Sequence, residues 1–353
     1  MDIKRLVDVF ESSKNFENPN NESLHWLGFH LDNKENFLRG DLIKNFRQNL
    51  SLGRDDAMYR KSYLNLQEIS EWTNHISEDI LINNLSNHNI GNSLDVILHQ
   101  GKYYDYNKFF QIYYYSLINQ YLSNKSICFE IGAGYGALAE VIINNKDSKY
   151  FIIDLPEANL ITSYYLNKVF TNKKIFLFDD YLSNGNIIGE THLSNFDIFI
   201  LPPNLNFDDS IKFDFFINTR SMMEMDSGTI NDYFNFIHKY SHAESFFLNV
   251  NRYEKITVGE RICLSDYPYD KNWNTKISIP AFKQDHIHLL LTQRSSENGD
   301  IKEELEKIEE LGKQFYEKRF SFSKLKFSLQ RIILNIFGRR FLEKIIKLKR
   351  KFF

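Results

Sequence analysis

The residues best suited to chemistry gather around a run of glycines. In CFEIGAGYGALAEVIINN an apolar stretch stops at Glu130, and Gly132, Gly134 and Gly136 follow at alternate positions. A strand that ends in Gly-x-Gly and opens a helix brings backbone N–H groups close to a ligand. The acid beside the first glycine selects among ligands. A pyrophosphate in that crevice would meet like charge, whereas a cation would be drawn in. Asp154, at the end of the next apolar run KYFIID, is placed to accept hydrogen bonds from two ribose hydroxyls.

S-adenosylmethionine satisfies both acids, because it carries a sulfonium, an amino group and a ribose but no phosphate. NAD would use Asp154 in the same way, so a nucleotide-dependent enzyme on a similar sheet is the alternative. Structural readings compete as well. The glycines could form a plain tight turn, Glu130 could serve a helix N-terminus, and Asp154 could cap the helix that Pro156 opens.

A second constellation is INTRSMMEMD, residues 217–226. It follows an apolar run, so Asn218 and Ser221 are expected to face the cofactor at the carboxyl edge of a sheet. Glu224 and Asp226 lie just beyond as catalytic candidates. Glu224 is the first choice for a base that takes a proton from an acceptor hydroxyl. Its Ser-x-x-Glu spacing also fits a capping box. Asn251, Arg252 and Tyr253 end a later apolar run and are the acceptor-binding candidates. Arg252 could grip a phosphate. Met222, Met223 and Met225 read as packing. His238 and His242, four apart, and His286 and His288, two apart, have ligand-like spacing, but no further Cys or acid completes a set. No metal site is expected, although Asp226 could serve a divalent ion.

Positioning these groups requires a particular order of elements. From residue 126 to about 294, short apolar runs alternate with helical patterns, which predicts a mostly parallel sheet with crossover helices. SICFEI, KYFIID, FDFFIN and SFFLNV are strands in that order. KIFLF and FDIFIL compete for third place, and with them Asp179 and Asp180 or Asn204 compete to meet an adenine. HIHLLLTQ reads as a late antiparallel strand. Before the sheet, Phe110, Tyr113, Tyr114, Leu117, Ile118 and Tyr121 recur at helical spacing and predict an aromatic-faced helix.

These blocks together, FEIGAGYGALAEVI, YFIIDLPEA, SYYLNKVF, FDFFINTRSMMEMD and FFLNVNRY, resemble the bacterial sugar O-methyltransferase family, over roughly residues 90–292. That family is a branch of the class I methyltransferases that use S-adenosylmethionine. The resemblance implies a Rossmann-like α/β fold and methyl transfer to a sugar hydroxyl of a surface polysaccharide or its precursor. It also implies cofactor contacts at Glu130, Gly132, Gly134 and Asp154. A chain that keeps the fold without catalysis is a further alternative.

Bulk properties narrow the rest. A net charge of −3 argues against a nucleic-acid partner. Two cysteines, Cys128 and Cys263, are too few for a disulfide framework. The opening MDIKRLVDVFESSK lacks a continuous apolar signal core, so a cytoplasmic location is expected. Three regions follow: a helical cap over 1–100, a cofactor-binding domain over 101–296, and a tail over 297–353. The tail begins with a charged helix. From Ser321 on it holds ten Lys or Arg against the single acid Glu343. Its amphipathic helices could rest on the anionic inner face of the cell membrane or dock on a glycan-assembly partner.

Overall fold

The computed structural model describes residues 2–16, 43–49, 66–94, 96–256 and 260–317. The basic stretch from Ser321 on lies outside the described residues. The chain opens with α1 (Ile3–Phe16), a single turn α2 (Phe46–Asn49), α3 (Leu66–Thr73) and α4 (Glu78–Asn84). A hairpin of β1 (Val96–His99) and β2 (Lys102–Asp105) then leads into α5 (Tyr106–Ile118). The boundary expected at residue 100 therefore falls in the turn of this hairpin.

Strand–helix alternation follows: β3 (Ile127–Ile131), α6 (Ala137–Asn145), β4 (Lys149–Ile153), α7 (Pro156–Val169), β5 (Ile175–Phe176), α8 (Phe178–Ser183), α9 (Glu190–Asn195) and β6 (Ile198–Leu201). The chain continues through β7 (Phe213–Thr219), α10 (Ser227–Tyr240), β8 (Ser241–Arg252), β9 (Glu254–Lys255) and β10 (Ile262–Cys263). It closes with β11 (Trp273–Pro280), β12 (Ile287–Arg294) and a final helix α11 over 301–317.

Eight strands form one sheet in the order β11-β12-β8-β7-β3-β4-β6-β5. Its strands from β8 to β5 are parallel, while at one edge β12 runs antiparallel to both β8 and β11. This is the expected Rossmann-like α/β fold with its late antiparallel strand. The parallel strands read as unbroken apolar runs because helices cover both of their faces. Phe129, Phe151, Phe199, Phe213 and Phe216 pack ring against ring on one face. Cys128, Tyr150, Ile152 and Phe215 point to the other face and share their core with α5, α6 and the N-terminal helices.

The structure decides between the two candidates for third place. FDIFIL forms β6 and pairs directly with β4, while KIFLF contributes only the short outer strand β5. Helix α5 buries Phe110, Tyr113, Tyr114 and Ile118 as its spacing predicts. Helix α1 packs along α7, and Arg5 forms an ion pair with Asp179 at 2.8 Å and with Asp180 at 3.1 Å. Among the described residues no helix is long and apolar enough to cross a membrane.

Candidate functional site

Glu130 is the penultimate residue of β3, and the turn after it uses backbone that only glycine adopts readily. Gly132 has φ +73° and Gly136 φ +89°. A Cβ on Gly132 would lie 2.2 Å from the Cβ of Ser221, so the turn is also sterically closed to side chains. Asp154, just past β4, stitches this turn to the second strand. Its carboxylate accepts from the Gly134 N–H at 2.9 Å and from the Leu155 N–H at 2.8 Å. Thr162 on α7 donates to the Gly134 carbonyl at 2.6 Å. The capping alternative for Asp154 does not hold, since Leu155 occupies the N-cap of α7.

These groups line a cavity of about 500 Å³ at the carboxyl ends of β3, β4, β6 and β7. Glu130, Gly132, Gly134, Asp154, Asn204 and Glu224 all contribute to it. The position of β6 places Asn204 there, with a left-handed φ of +65°. Asp179 and Asp180 are engaged by Arg5 and do not line the cavity.

Of the cavity's acids, Glu130 is fully buried and Asp154 partly so. Burial pushes the Glu130 carboxyl up to about 8, against the opposing hydrogen bond donated by the Tyr150 hydroxyl at 2.8 Å. Burial likewise pushes Asp154 up to about 7, opposed by the Leu155 and Gly134 N–H groups and reinforced by the charge of Glu224. Such acids favour a ligand that brings positive charge or hydroxyl donors, and they disfavour a diphosphate.

Glu224 sits in a 3₁₀ turn over Met222–Glu224 that follows β7, half-buried and on the cavity wall. Asp226, two residues on, is the N-cap of α10 and accepts from the Thr229 N–H at 2.7 Å. It lies off the cavity wall, so its catalytic assignment gives way to a capping role.

Asn218 is corrected too. It is fully buried, donates to the Ile131 carbonyl at 2.9 Å and accepts from Asn251 at 2.8 Å and from the Met222 N–H at 3.2 Å. It therefore joins β3 to the catalytic turn from behind the wall. Asn251 is equally buried and accepts from the Met223 N–H at 3.0 Å. Tyr253 bonds His288 Nδ1 at 3.1 Å and stacks near Phe315 of α11. Arg252 is half-buried and also lies off the cavity. The trio expected to bind the acceptor, Asn251, Arg252 and Tyr253, thus lies off the cavity wall, where β8 runs on beyond Val250, the partner of the last β7 residue Thr219.

Four residues that sequence reasoning passed over belong here. Asn107 and Gln111 reach the cavity from α5, and Arg220 reaches it from the residue after β7. Lys255 is buried and donates to the carbonyls of Met222, at 2.8 Å, and Met225, clasping the turn that carries Glu224. Burial draws its pKa down to about 8, against the nearby acids Glu260, Asp226 and Glu224. For Asn107 and Gln111 a signal existed: they are polar positions, four residues apart, on a helix rich in aromatics.

The histidines separate. His238 is on α10 and His242 is already in β8, bonded to Asp214 at 2.9 Å. His288 is buried between Ser278 and Tyr253, and burial lowers its pKa to about 4. Among the described residues no three His, Cys, Asp or Glu side chains group as metal ligands.

The sequence matches no known protein family profile, and no curated protein matches it. Solved structures do align. A mitomycin 7-O-methyltransferase aligns at 13% identity and TM-score 0.33, over 54% of this chain and 57% of its own. The pyocyanin biosynthetic protein PhzM aligns at 10% identity and TM-score 0.32, over 54% of this chain and 58% of its own. TrmK of M. capricolum, solved with S-adenosyl-homocysteine, aligns at 16% identity and TM-score 0.31, over 67% of this chain and 96% of its own. The chain thus spans under three-fifths of the first two, and the chemistry of its site rests on its own residues.

Proposed function

We propose that this protein transfers a methyl group from S-adenosylmethionine to a sugar hydroxyl, of a surface polysaccharide or its precursor. One observation carries the reading: Glu130, Asp154 and Glu224 line a single cavity beside a glycine turn too tight for side chains. The residues suit that cofactor. Glu130 would sit near positive charge, Asp154 would accept from ribose hydroxyls, and the bare turn lets the ligand approach the backbone. Bound there, S-adenosylmethionine would supply an electrophilic methyl. A pyrophosphate-containing cofactor would instead face four acidic side chains, Glu130, Asp154, Glu224 and Asp232, with Arg220 as the one cationic side chain on the wall among the described residues.

Glu224 acts as the base. Methyl transfer is an in-line displacement, and a hydroxyl attacks poorly unless its proton is taken as the bond forms. The turn over Met222–Glu224 is fixed from beneath by Asn218, Asn251 and Lys255, so the backbone that presents Glu224 to the cavity is held in place. The sugar as acceptor rests on the family resemblance of the blocks between residues 90 and 292, and the cytoplasmic face of the membrane is the location proposed with it.

The test separates binding from turnover. S-adenosylhomocysteine should bind the wild type in calorimetry and should bind Asp154→Ala far more weakly. Glu224→Gln should keep that binding yet lose about 10²–10⁴-fold in turnover. Cells lacking the gene should yield a glycan lighter by about 14 Da per lost methyl, a CH₂ difference read at a chemistry-bearing site. Absence of any binding to the wild type, or binding of NAD in its place, would overturn the reading.

A further inference from the structure

Two cavity residues have complementary needs that the catalytic reading leaves unmet. Gln111 lines the cavity from α5, and its Oε1 is buried with no hydrogen-bond partner among the described residues. A buried carbonyl oxygen of this kind calls for a donor. Arg220 lines the same cavity, and among the described residues no carboxylate pairs with its guanidinium. Its backbone is held in a left-handed conformation, φ +73°, with its N–H donating to the Val250 carbonyl at 2.8 Å. A residue with a Cβ adopts that conformation only when its surroundings fix it there.

We propose that Gln111 and Arg220 seat the α-amino-acid end of the methyl donor, Gln111 Oε1 accepting from its ammonium and Arg220 holding its carboxylate. This rests on the S-adenosylmethionine reading of the cavity. One chemical group satisfies both residues at once, since an α-amino acid carries a cation and an anion on the same carbon. An acidic acceptor would engage Arg220 and leave Gln111 Oε1 unpartnered.

Placement agrees with charge. Arg220 adjoins Ser221, which packs on Gly132, so its backbone begins beside the glycine turn. Helix α5 packs on α6, the helix that this turn opens, and the buried Lys108–Glu140 ion pair locks the two together one turn before Gln111. Arg220 thus reaches the cavity from the strand beside β3, and Gln111 from the helix packed on α6. Asp154 would hold the ribose at the neighbouring strand, which leaves the amino-acid end for β3 and its flanks.

Two ligands distinguish this seat from the rest of the site. S-adenosylhomocysteine has the amino-acid end, and methylthioadenosine lacks it but keeps the adenosine and the sulfur. Calorimetry on the full chain should show Gln111→Leu and Arg220→Gln each weakening S-adenosylhomocysteine about tenfold or more, the scale of a charge-assisted hydrogen bond. Methylthioadenosine affinity should stay unchanged in both variants. Equal losses for the two ligands would mark a general distortion and overturn the proposal. So would unchanged S-adenosylhomocysteine affinity. If Arg220→Gln left that affinity intact but abolished binding of inorganic phosphate to the loaded protein, Arg220 would belong to an acidic acceptor instead. A wild type that binds neither adenosyl ligand would sink the cofactor reading itself, a result distinct from any variant effect.

Discussion

Glu224 and Asp226 lie two residues apart, and the backbone between them turns them to opposite uses. Asp226 is spent on the Thr229 N–H at the start of α10, which leaves Glu224 on the cavity wall. The sequence offered both as catalysts, and its capping signal fell on Glu224, because a Ser-x-x-Glu spacing (Ser221 to Glu224) stands just before the Asp226-x-x-Thr229 cap. Glu130 and Asp154 are groups whose protonation should be measurable. An unfolded carboxyl ionises near pH 4, whereas these two ionise at about 8 and about 7. The folded state therefore keeps protons that the unfolded state has released. Its stability should fall as pH rises from about 4 towards 8, with the loss complete above that. Binding should run the other way, since a ligand that needs the Asp154 carboxylate must displace its proton below pH 7. S-adenosylhomocysteine affinity should drop about tenfold from pH 8 to pH 6, with proton uptake or release read from calorimetry in buffers of different ionisation enthalpy. A flat profile would show that the acids do not meet the ligand.

At the scale of elements, the glycine turn and the α5–α6 pair carry the most testable claims. Gly132→Ala would drive a Cβ into Ser221, which also donates to the Ile131 carbonyl at 2.9 Å, and should abolish adenosyl binding. Gly189→Ala is the control, since a Cβ there meets nothing within 4 Å. Adenosyl binding by Gly132→Ala at wild-type strength would contradict the closeness of that contact. The α5–α6 pair depends on charge in its core. Glu140 is buried, yet Lys108 and His88 outweigh the penalty of burial and hold its carboxyl well below the usual range. Tyr165 also donates to it, as does Ser86 at 3.1 Å. Lys108→Met would strand that charge and should cost about 3–5 kcal/mol in urea unfolding. The double variant Lys108→Met, Glu140→Gln should recover part of the loss. Neither partner was legible as functional, because an i, i+3 pattern predicts burial and says nothing of which buried helix meets which.

At the scale of the whole molecule, the sheet was readable where burial is complete. SICFEI, KYFIID, FDFFIN and HIHLLLTQ are runs dominated by apolar residues, and each became a strand. Trp273–Pro280 was missed because an edge strand carries mixed residues, WNTKISIP, with only one well-covered neighbour. The β1–β2 hairpin was missed because its strands are only four residues each and form a sheet of their own, outside the eight-stranded one. The site was legible on β3 and β4, where type and spacing fix the geometry. It failed on β8, since register alone decides whether Asn251 to Tyr253 face the cavity or the core. Arg220 and Gln111 could not be singled out, because their role depends on which elements meet across β3.

Tyr135 sits within the glycine turn, and its ring contacts Phe46, Tyr165 and the guanidinium of Arg47, which itself pairs with Asp105. The ligand cradle therefore has a lid bolt supplied by residues far upstream. A shortened chain that began at the first sheet strand would keep every glycine of the fingerprint and still lose the wall behind it. A chain beginning after Phe46 should therefore bind the proposed adenosyl ligand more weakly than the whole protein.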